Sequence, residues 1–254
     1  MKMKPGNRIT ILLWLSFSLT FLNFTTVHQD PVGKITFPLH RVFVLRAGSD
    51  ALKSARLNMD VFNGDKVETR RESRCEITLR NGSVVRIDEN SIYTLEKMEF
   101  GKKIVRASSF LSIGRLWSNI KKIFSGKDYF KVKSPSAVIA VRGTIYRIDA
   151  LADSTTRVNV YRGAVAVSPW HPITKKSGKR PSGKKIERRE VPGPVQVPGP
   201  RQVTVKKWLE IVKAQQQITV FQSGRFVKAR FDSLEDAKSD WVRWNMKRDS
   251  LLQR

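Results

Sequence analysis

Apolar residues recur at every second position in many short stretches of this chain, the period of a half-buried β-strand. The clearest stretch is 75–87, where Cys75, Ile77 and Leu79 alternate with polar residues before Asn81-Gly82, and Val85 and Ile87 follow. A two-residue Asn81-Gly82 loop would set Ile77 opposite Arg86. A three-residue loop, Arg80-Asn81-Gly82, sets Ile77 opposite Val85 and Cys75 opposite Ile87, making one face uniformly apolar. The pattern therefore predicts the longer loop, with Gly82 in the left-handed region as a bulge. Similar strand patterns occupy 34–37, 41–46, 66–70, 91–95 and 129–133, and Asn63-Gly64 signals a turn. Pro135 marks a strand end or edge. Residues 134–148 read as strand, tight turn, strand. Residues 156–167 read as a hairpin that sets Val158 and Val160 against Val167 and Val165, around a two- or four-residue loop at Arg162-Gly163, four being preferred.

Between residues 109 and 124 the period changes. Phe110, Ile113, Leu116, Trp117, Ile120, Ile123 and Phe124 fall at three- and four-residue steps, which predicts an amphipathic helix packed across the β core or, less simply, lying on a membrane surface. Residues 171–190 lose all periodicity and are rich in Lys and Arg. Two Val-Pro-Gly-Pro copies, from Val191 and Val197, form an extended spacer. Beyond it, Thr204 suits the cap of a helix carrying Trp208, Ile211 and Val212. Residues 217–221 and 225–231 flank Ser223-Gly224 as a hairpin, and Ser233 with Asp236 makes a capping box for a last helix whose Trp241, Trp244, Arg248 and Leu251 share a face. The expected architecture is mainly β: an antiparallel, twisted, solenoid-like or sandwich-like domain over 33–169 with one amphipathic helix, a basic Pro/Gly-rich linker over 170–203, and a small α+β unit over 204–254.

Composition changes the picture in two ways. The 254 residues hold 48 Lys and Arg against 22 Asp and Glu, a net charge of +26, which favours polyanionic partners. The N-terminus then narrows them. Lys2, Lys4 and Arg8 precede an apolar segment over 9–27, the order of an export signal. Polar residues dilute the segment and no good cleavage site follows, so 1–28 reads either as a signal peptide or as a membrane anchor. Both place the rest of the chain outside the cytoplasm, periplasmic or otherwise extracytoplasmic. There nucleic acid is scarce, and anionic lipids or wall polymers are abundant. The lone Cys75 reads as a buried apolar residue. His28, His40 and His171 lack ligand spacing, so neither metal nor cofactor is expected.

One set of motifs goes further. Residues 135–144, Pro-Ser-Ala-Val-Ile-Ala-Val-Arg-Gly-Thr, are preceded in order by Asn63-Gly64-Asp65 with Glu68-Thr69, and by the 79–87 hairpin. Together they resemble the FecR domain of the bacterial cell envelope, over about Lys34 to Val167. The resemblance implies an all-β extracytoplasmic module of twisted or solenoid-like sheets. Its name-giving member regulates a sigma factor during iron-siderophore uptake through a cytoplasmic segment, a membrane span and a periplasmic domain. Only eight residues precede the apolar segment here, which departs from that plan. The motif residues Pro135, Val141, Arg142, Gly143 and Thr144 read as structural, with Gly143 permitting a bend and Arg142 bridging carbonyls or a carboxylate.

The function expected is an exported, non-enzymatic module that binds an envelope protein or an anionic wall or lipid component, in sensing or signalling. The competing class is an enzyme acting on envelope glycans or lipids, with Asp88, Glu89 and Glu96 as conceivable acid and base. No nucleophile elbow, zinc-binding helix or Cys-His pair accompanies them.

Overall fold

A computed structural model describes residues 29–101, 104–122, 128–170 and 209–252, and every element below lies in the compact unit Pro31–Arg254. The apolar segment 9–27, the basic stretch 171–190, the Pro-Gly-Pro repeats, Thr204 and Trp208 lie outside the described residues. Among the described residues, seventeen strands and two C-terminal helices are formed. The strands are β1 (Gly33–Leu39), β2 (Val42–Leu45), β3 (Leu52–Ser54), β4 (Asp60–Val61), β5 (Lys66–Thr69), β6 (Arg74–Leu79), β7 (Val84–Ile87), β8 (Ser91–Phe100) and β9 (Val105–Asn119). They continue with β10 (Tyr129–Lys133), β11 (Ala137–Val141), β12 (Ile145–Ala150), β13 (Thr156–Arg162), β14 (Ala164–Pro169), β15 (Glu210–Lys213), β16 (Gln216–Val220) and β17 (Phe226–Arg230). The helices are α1 (Ser233–Asp236) and α2 (Asp240–Leu251).

Strand pairing produces two ladders. The first runs β4-β1-β6-β7-β9-β12-β13-β16-β17. The second runs β3-β2-β5-β8-β9-β10-β11-β14-β15. All pairs are antiparallel except β9 with β10. Ile77, Ile87, Ile148 and Val158 of the first ladder share one buried cluster with Val44, Val67, Tyr93 and Ile139 of the second. The sheets are therefore two layers around a single core, mainly β as the alternation predicts.

The β6–β7 hairpin has the expected register: Cys75 pairs with Ile87 and Ile77 with Val85. Leu79 N–H donates to Ser83 O at 2.8 Å and Gly82 N–H to Leu79 O at 2.7 Å, with Gly82 at φ +75°. Cys75 is fully buried, and burial pushes its thiol pKa up. The β16–β17 hairpin also forms, pairing Val220 with Phe226.

Three expectations are corrected. Residues 109–122 hold no helix, β9 running through 119, while Ile123 and Phe124 of the expected helix lie outside the described residues. Before Gly114 the buried positions are Ala107, Ser109 and Leu111; after it they are Leu116, Ser118 and Ile120, with Trp117 buried on the opposite face. A bend at Gly114, φ +100°, moves the strand from the second ladder to the first and shifts its parity. Two strand patterns of opposite parity, joined end to end, mimic helical spacing. The second correction concerns residues 156–167, which form no hairpin. Val165 pairs with Val141 and Val167 with Ile139, while Val158 pairs with Ile148 and Val160 with Tyr146. The chain crosses between layers at Gly143 and again at Gly163, both at positive φ. An arch between two layers and a hairpin within one layer give the same alternation, since both point their apolar residues into the core. The third correction lies at the C-terminus. Ile211 and Val212 sit on a strand, β15, paired with β14. Asp232, not Ser233, caps α1, accepting from Leu234 N at 2.8 Å, and the last helix starts separately after Ser239. Strands β15, β16 and β17, within the stretch read as a unit apart, thus extend both ladders.

The helices cover the outer face of the first ladder, where a polar row crosses neighbouring strands in register: Glu76, Arg86, Trp117, Arg147, Asn159. Arg86 is fully buried. Its Nε donates to Glu76 Oε2 at 2.6 Å and its Nη1 to Asp249 Oδ1 at 2.7 Å. Arg248 of α2 completes the cluster with two bonds to Glu76, at 2.9 and 3.0 Å. Burial would raise the Glu76 pKa, but the Arg248 and Arg86 guanidiniums and Thr36 outweigh it and hold the carboxyl at about 2.

Two outcomes follow from these contacts. A Cβ on Gly114 would lie 2.6 Å from Ser91 Cα, whereas one on Gly48 would meet nothing within 4 Å. Gly114→Ala is expected to cost upwards of about 4 kcal/mol, and Gly48→Ala, also at positive φ, about 1 kcal/mol; denaturant unfolding of both variants measures the difference. Because the Glu76 pKa is depressed in the fold, its stabilisation is complete above the ordinary range near 4.5 and is lost as pH falls towards about 2. Glu76→Gln should therefore destabilise by roughly 3 kcal/mol at pH 7, with the gap to wild type closing between those two pH values in acid unfolding curves.

Candidate functional site

The two motifs singled out in the sequence meet at one end of the first ladder. After β9, residues 119–122 pass between the β6–β7 turn and the arch that joins β11 to β12. Lys121 N–H donates to Ser83 Oγ at 3.1 Å on one side, and Ile120 N–H donates to Thr144 O at 3.0 Å on the other. Asn81 Oδ1 accepts from Ser83 N at 3.0 Å and so shapes the turn. Thr144, buried, donates its hydroxyl to Ala164 O at 2.8 Å, tying the first arch to the β13–β14 arch beside it.

Glycine is needed here for two different reasons. Gly82 and Gly143 both have positive φ, at +75° and +72°. A Cβ on Gly82 would meet only the end of a flexible side chain, Lys121 Nζ at 2.6 Å. A Cβ on Gly143 would meet backbone, Lys122 Cα at 2.9 Å. Gly143 thus permits the close approach of residues 119–122 as well as the bend.

The result is a cleft of about 480 Å³ whose lining includes Gly82, Asn119, Lys121, Lys122, Gly143 and Arg162. Lys121, Lys122 and Arg162 are all exposed at it, and none of its described lining residues is a carboxylate. Arg80 and Arg142, next in chain to the two turns, are exposed as well. Three cations around a concave, glycine-relieved backbone raise the local potential and attract anions. No group of His, Cys, Asp or Glu among the described residues is arranged to hold a metal.

The remaining motif residues sit where the strands turn. Pro135, half-buried, lies in the turn between β10 and β11, flanked by Ser134, whose hydroxyl donates to Ala137 O at 3.0 Å. Val141 is the last core residue before the arch. Asp65 accepts from Phe62 N at 2.8 Å and from Arg46, and Thr69 donates to Asp88 O. Gly82 and Gly143 line the same cleft, whereas Asn81, Thr144 and Pro135 are not among its lining residues.

The three carboxylates considered for catalysis are each engaged in a different structural contact. Asp88 is buried against Arg115 at 2.6 Å and Arg74 at 3.3 Å; burial pushes its pKa up against the pull of those guanidiniums. Glu89 accepts from Glu72 N at 2.7 Å, and Glu96 pairs with Lys133 at 2.7 Å. Lys121, Lys122 and Arg162 escaped the sequence reading, the lysines because they decorated an expected helix and Arg162 because it sat in an expected hairpin loop.

Since Gly82 and Gly143 share nearly the same φ, the neighbouring atom decides the cost of a methyl group. Gly143→Ala should lower the melting temperature by several degrees more than Gly82→Ala, because a backbone Cα yields less than a lysine side chain. Equal shifts in a thermal melt would mean that residues 119–122 move aside freely.

Residues 65–166 match the model of the FecR protein family. Two crystal structures of a candidate anti-sigma factor from Parabacteroides distasonis ATCC 8503, at 1.65 and 2.50 Å resolution, are similar to this chain at 16% identity and a TM-score of 0.44. Each comparison covers 66% of this chain and 60% of that protein, so the chain spans less than two thirds of its length. No curated protein matches the chain in sequence. The match starts after β1 to β4 and takes in the Asp65 and Thr69 motif, the Asn81-Gly82 turn and the Arg142-Gly143-Thr144 arch, so the part of the chain that is similar to the FecR family is the part whose motifs resemble it.

Proposed function

We propose that this protein is an exported, non-enzymatic FecR-type module that recognises an anionic component of the cell envelope, a wall polymer or lipid headgroup, through the cleft at the two glycine turns, in a sensing or signalling role. The observation that carries the reading is the gathering of Lys121, Lys122 and Arg162 around a cleft with no carboxylate in its described lining. Phosphate or carboxylate groups on a polymer or a membrane surface are the chemistry such a cleft suits. The basic flank and apolar segment at the N-terminus support export, and the FecR match supports regulation over catalysis. No helix among the described residues is long and apolar enough to cross a membrane; the segment over 9–27, as cleaved signal or anchor, lies outside them.

The test is co-sedimentation of the purified protein at physiological salt with anionic vesicles, zwitterionic vesicles and isolated cell wall. Wild type should bind anionic vesicles or wall but not zwitterionic vesicles, and binding should weaken as salt rises. Lys121→Glu, Lys122→Glu and Arg162→Glu together should reduce it at least tenfold with little change in melting temperature, all three side chains being exposed. Absence of wild-type binding, or full binding by the triple variant, counts against the proposal.

A further inference from the structure

The outer face of the first ladder is built to receive carboxylates. Two pairs of donors stand on it, each a buried guanidinium beside an aromatic donor. In the first, Arg86 Nη1 and Trp117 Nε1 converge on the two oxygens of Asp249, at 2.7 and 2.9 Å. In the second, Arg147 Nη1 lies 2.9 and 2.8 Å from the two oxygens of Asp236, and the Tyr161 hydroxyl donates to the same carboxylate. Arg74, at the edge of this face, bonds Asp240 at 2.7 Å and lies over the rings of Trp241 and Trp244 at 5.3 and 5.1 Å. Three arginines of the sheet thus meet three aspartates of the last twenty residues.

Apolar contact accompanies the ion pairs. Trp241 and Val242 are the buried apolar residues of α2; the other two buried ones are Asn245 and Asp249. Trp241, Val242, Trp117 and Ile145 form a cluster separate from the main core. The helix therefore sits on a finished sandwich rather than completing it. If α1 and α2 left together, Arg86 and Arg147 would keep Glu76 and Asp149 as their ion-pair partners among the described residues, and Trp117 and Tyr161 would lose Asp249 and Asp236. Partly paired guanidiniums on a sheet are costly unless another carboxylate replaces the one removed.

We propose that this face is a docking surface for an acidic amphipathic helix of a partner protein, and that residues 232–252 occupy it in cis as a displaceable strap. The partner is defined by complementarity: a helical segment with carboxylates matching Asp236, Asp240 and Asp249, and indole or aliphatic side chains matching Trp241 and Val242. The surface uses other arginines than the basic cleft, and the two adjoin at Leu252, the end of the strap, which lies among the residues lining that cleft.

The experiment uses a labelled peptide of residues 232–252 and the full-length chain. In Asp236→Asn/Asp249→Asn protein the strap should loosen: amide exchange over 240–251 should accelerate at least tenfold while the β core stays protected. This opened protein should bind the peptide at least tenfold more tightly than wild type. A peptide carrying the same two Asn substitutions should not bind. Continued protection of 240–251 in the variant, or failure of its folded core to take up the peptide, overturns the proposal. Should the variant not fold, wild type decides the matter: excess peptide should speed exchange of the chain's own 240–251 amides, and no change overturns the proposal.

Discussion

Strand β9 belongs to both layers because Gly114 lets its backbone turn at φ +100° while Ser91 packs against the bend, its hydroxyl accepting from Arg115 N at 3.0 Å. Before the bend the strand pairs with β8 and β10, after it with β7 and β12. It therefore joins the upstream and downstream halves of both ladders. Without it, the N-terminal strands and the FecR arches would be two small sandwiches, each with edges to protect. The same strand delivers residues 119–122 to the turns that form the cleft, and it places Trp117 beneath the C-terminal helix. Fold, cleft and docking face all trace back to one change of direction.

Much of this was legible from alternation alone. The β6–β7 register followed from the requirement that Cys75, Ile77, Val85 and Ile87 share a face, and β16–β17 from apolar runs around Ser223-Gly224. Alternation reports which residues face the core; it does not report which layer they belong to. Val158, Val160, Val165 and Val167 were correctly read as inward-facing, yet they lie in two sheets and pair with Ile148, Tyr146, Val141 and Ile139. The false helix at 109–124 has the same origin, a parity shift at a glycine that short-range periodicity cannot distinguish from a 3.6-residue repeat. The signal that could have found it was Gly114 itself, a poor helix residue at the centre of the pattern.

The charged residues were harder to read for a different reason. Lys121 and Lys122 are far from Arg162 in the chain, and the three gain meaning only when the fold brings them together. Glu76 and Arg86 occupy the polar side of a well-read hairpin, where a solvated face was the natural reading. They are buried instead, because α2 brings Asp249 and Arg248 from more than 160 positions away. Surplus positive charge thus divides into two populations. Some guanidiniums are neutralised inside the fold by scarce carboxylates, and three of the exposed cations meet at the cleft.

Strands β14 and β15 are hydrogen-bonded neighbours, Val167 opposite Glu210, although the long basic and proline-rich stretch separates them in sequence. The point of departure and the point of return are thus anchored side by side by the ladder itself. The entropy of closing such a loop grows only as the logarithm of its length, so doubling it would cost about 0.6 kcal/mol. The ladder, rather than the length of what joins its two strands, therefore fixes where the chain leaves the sandwich and where it returns.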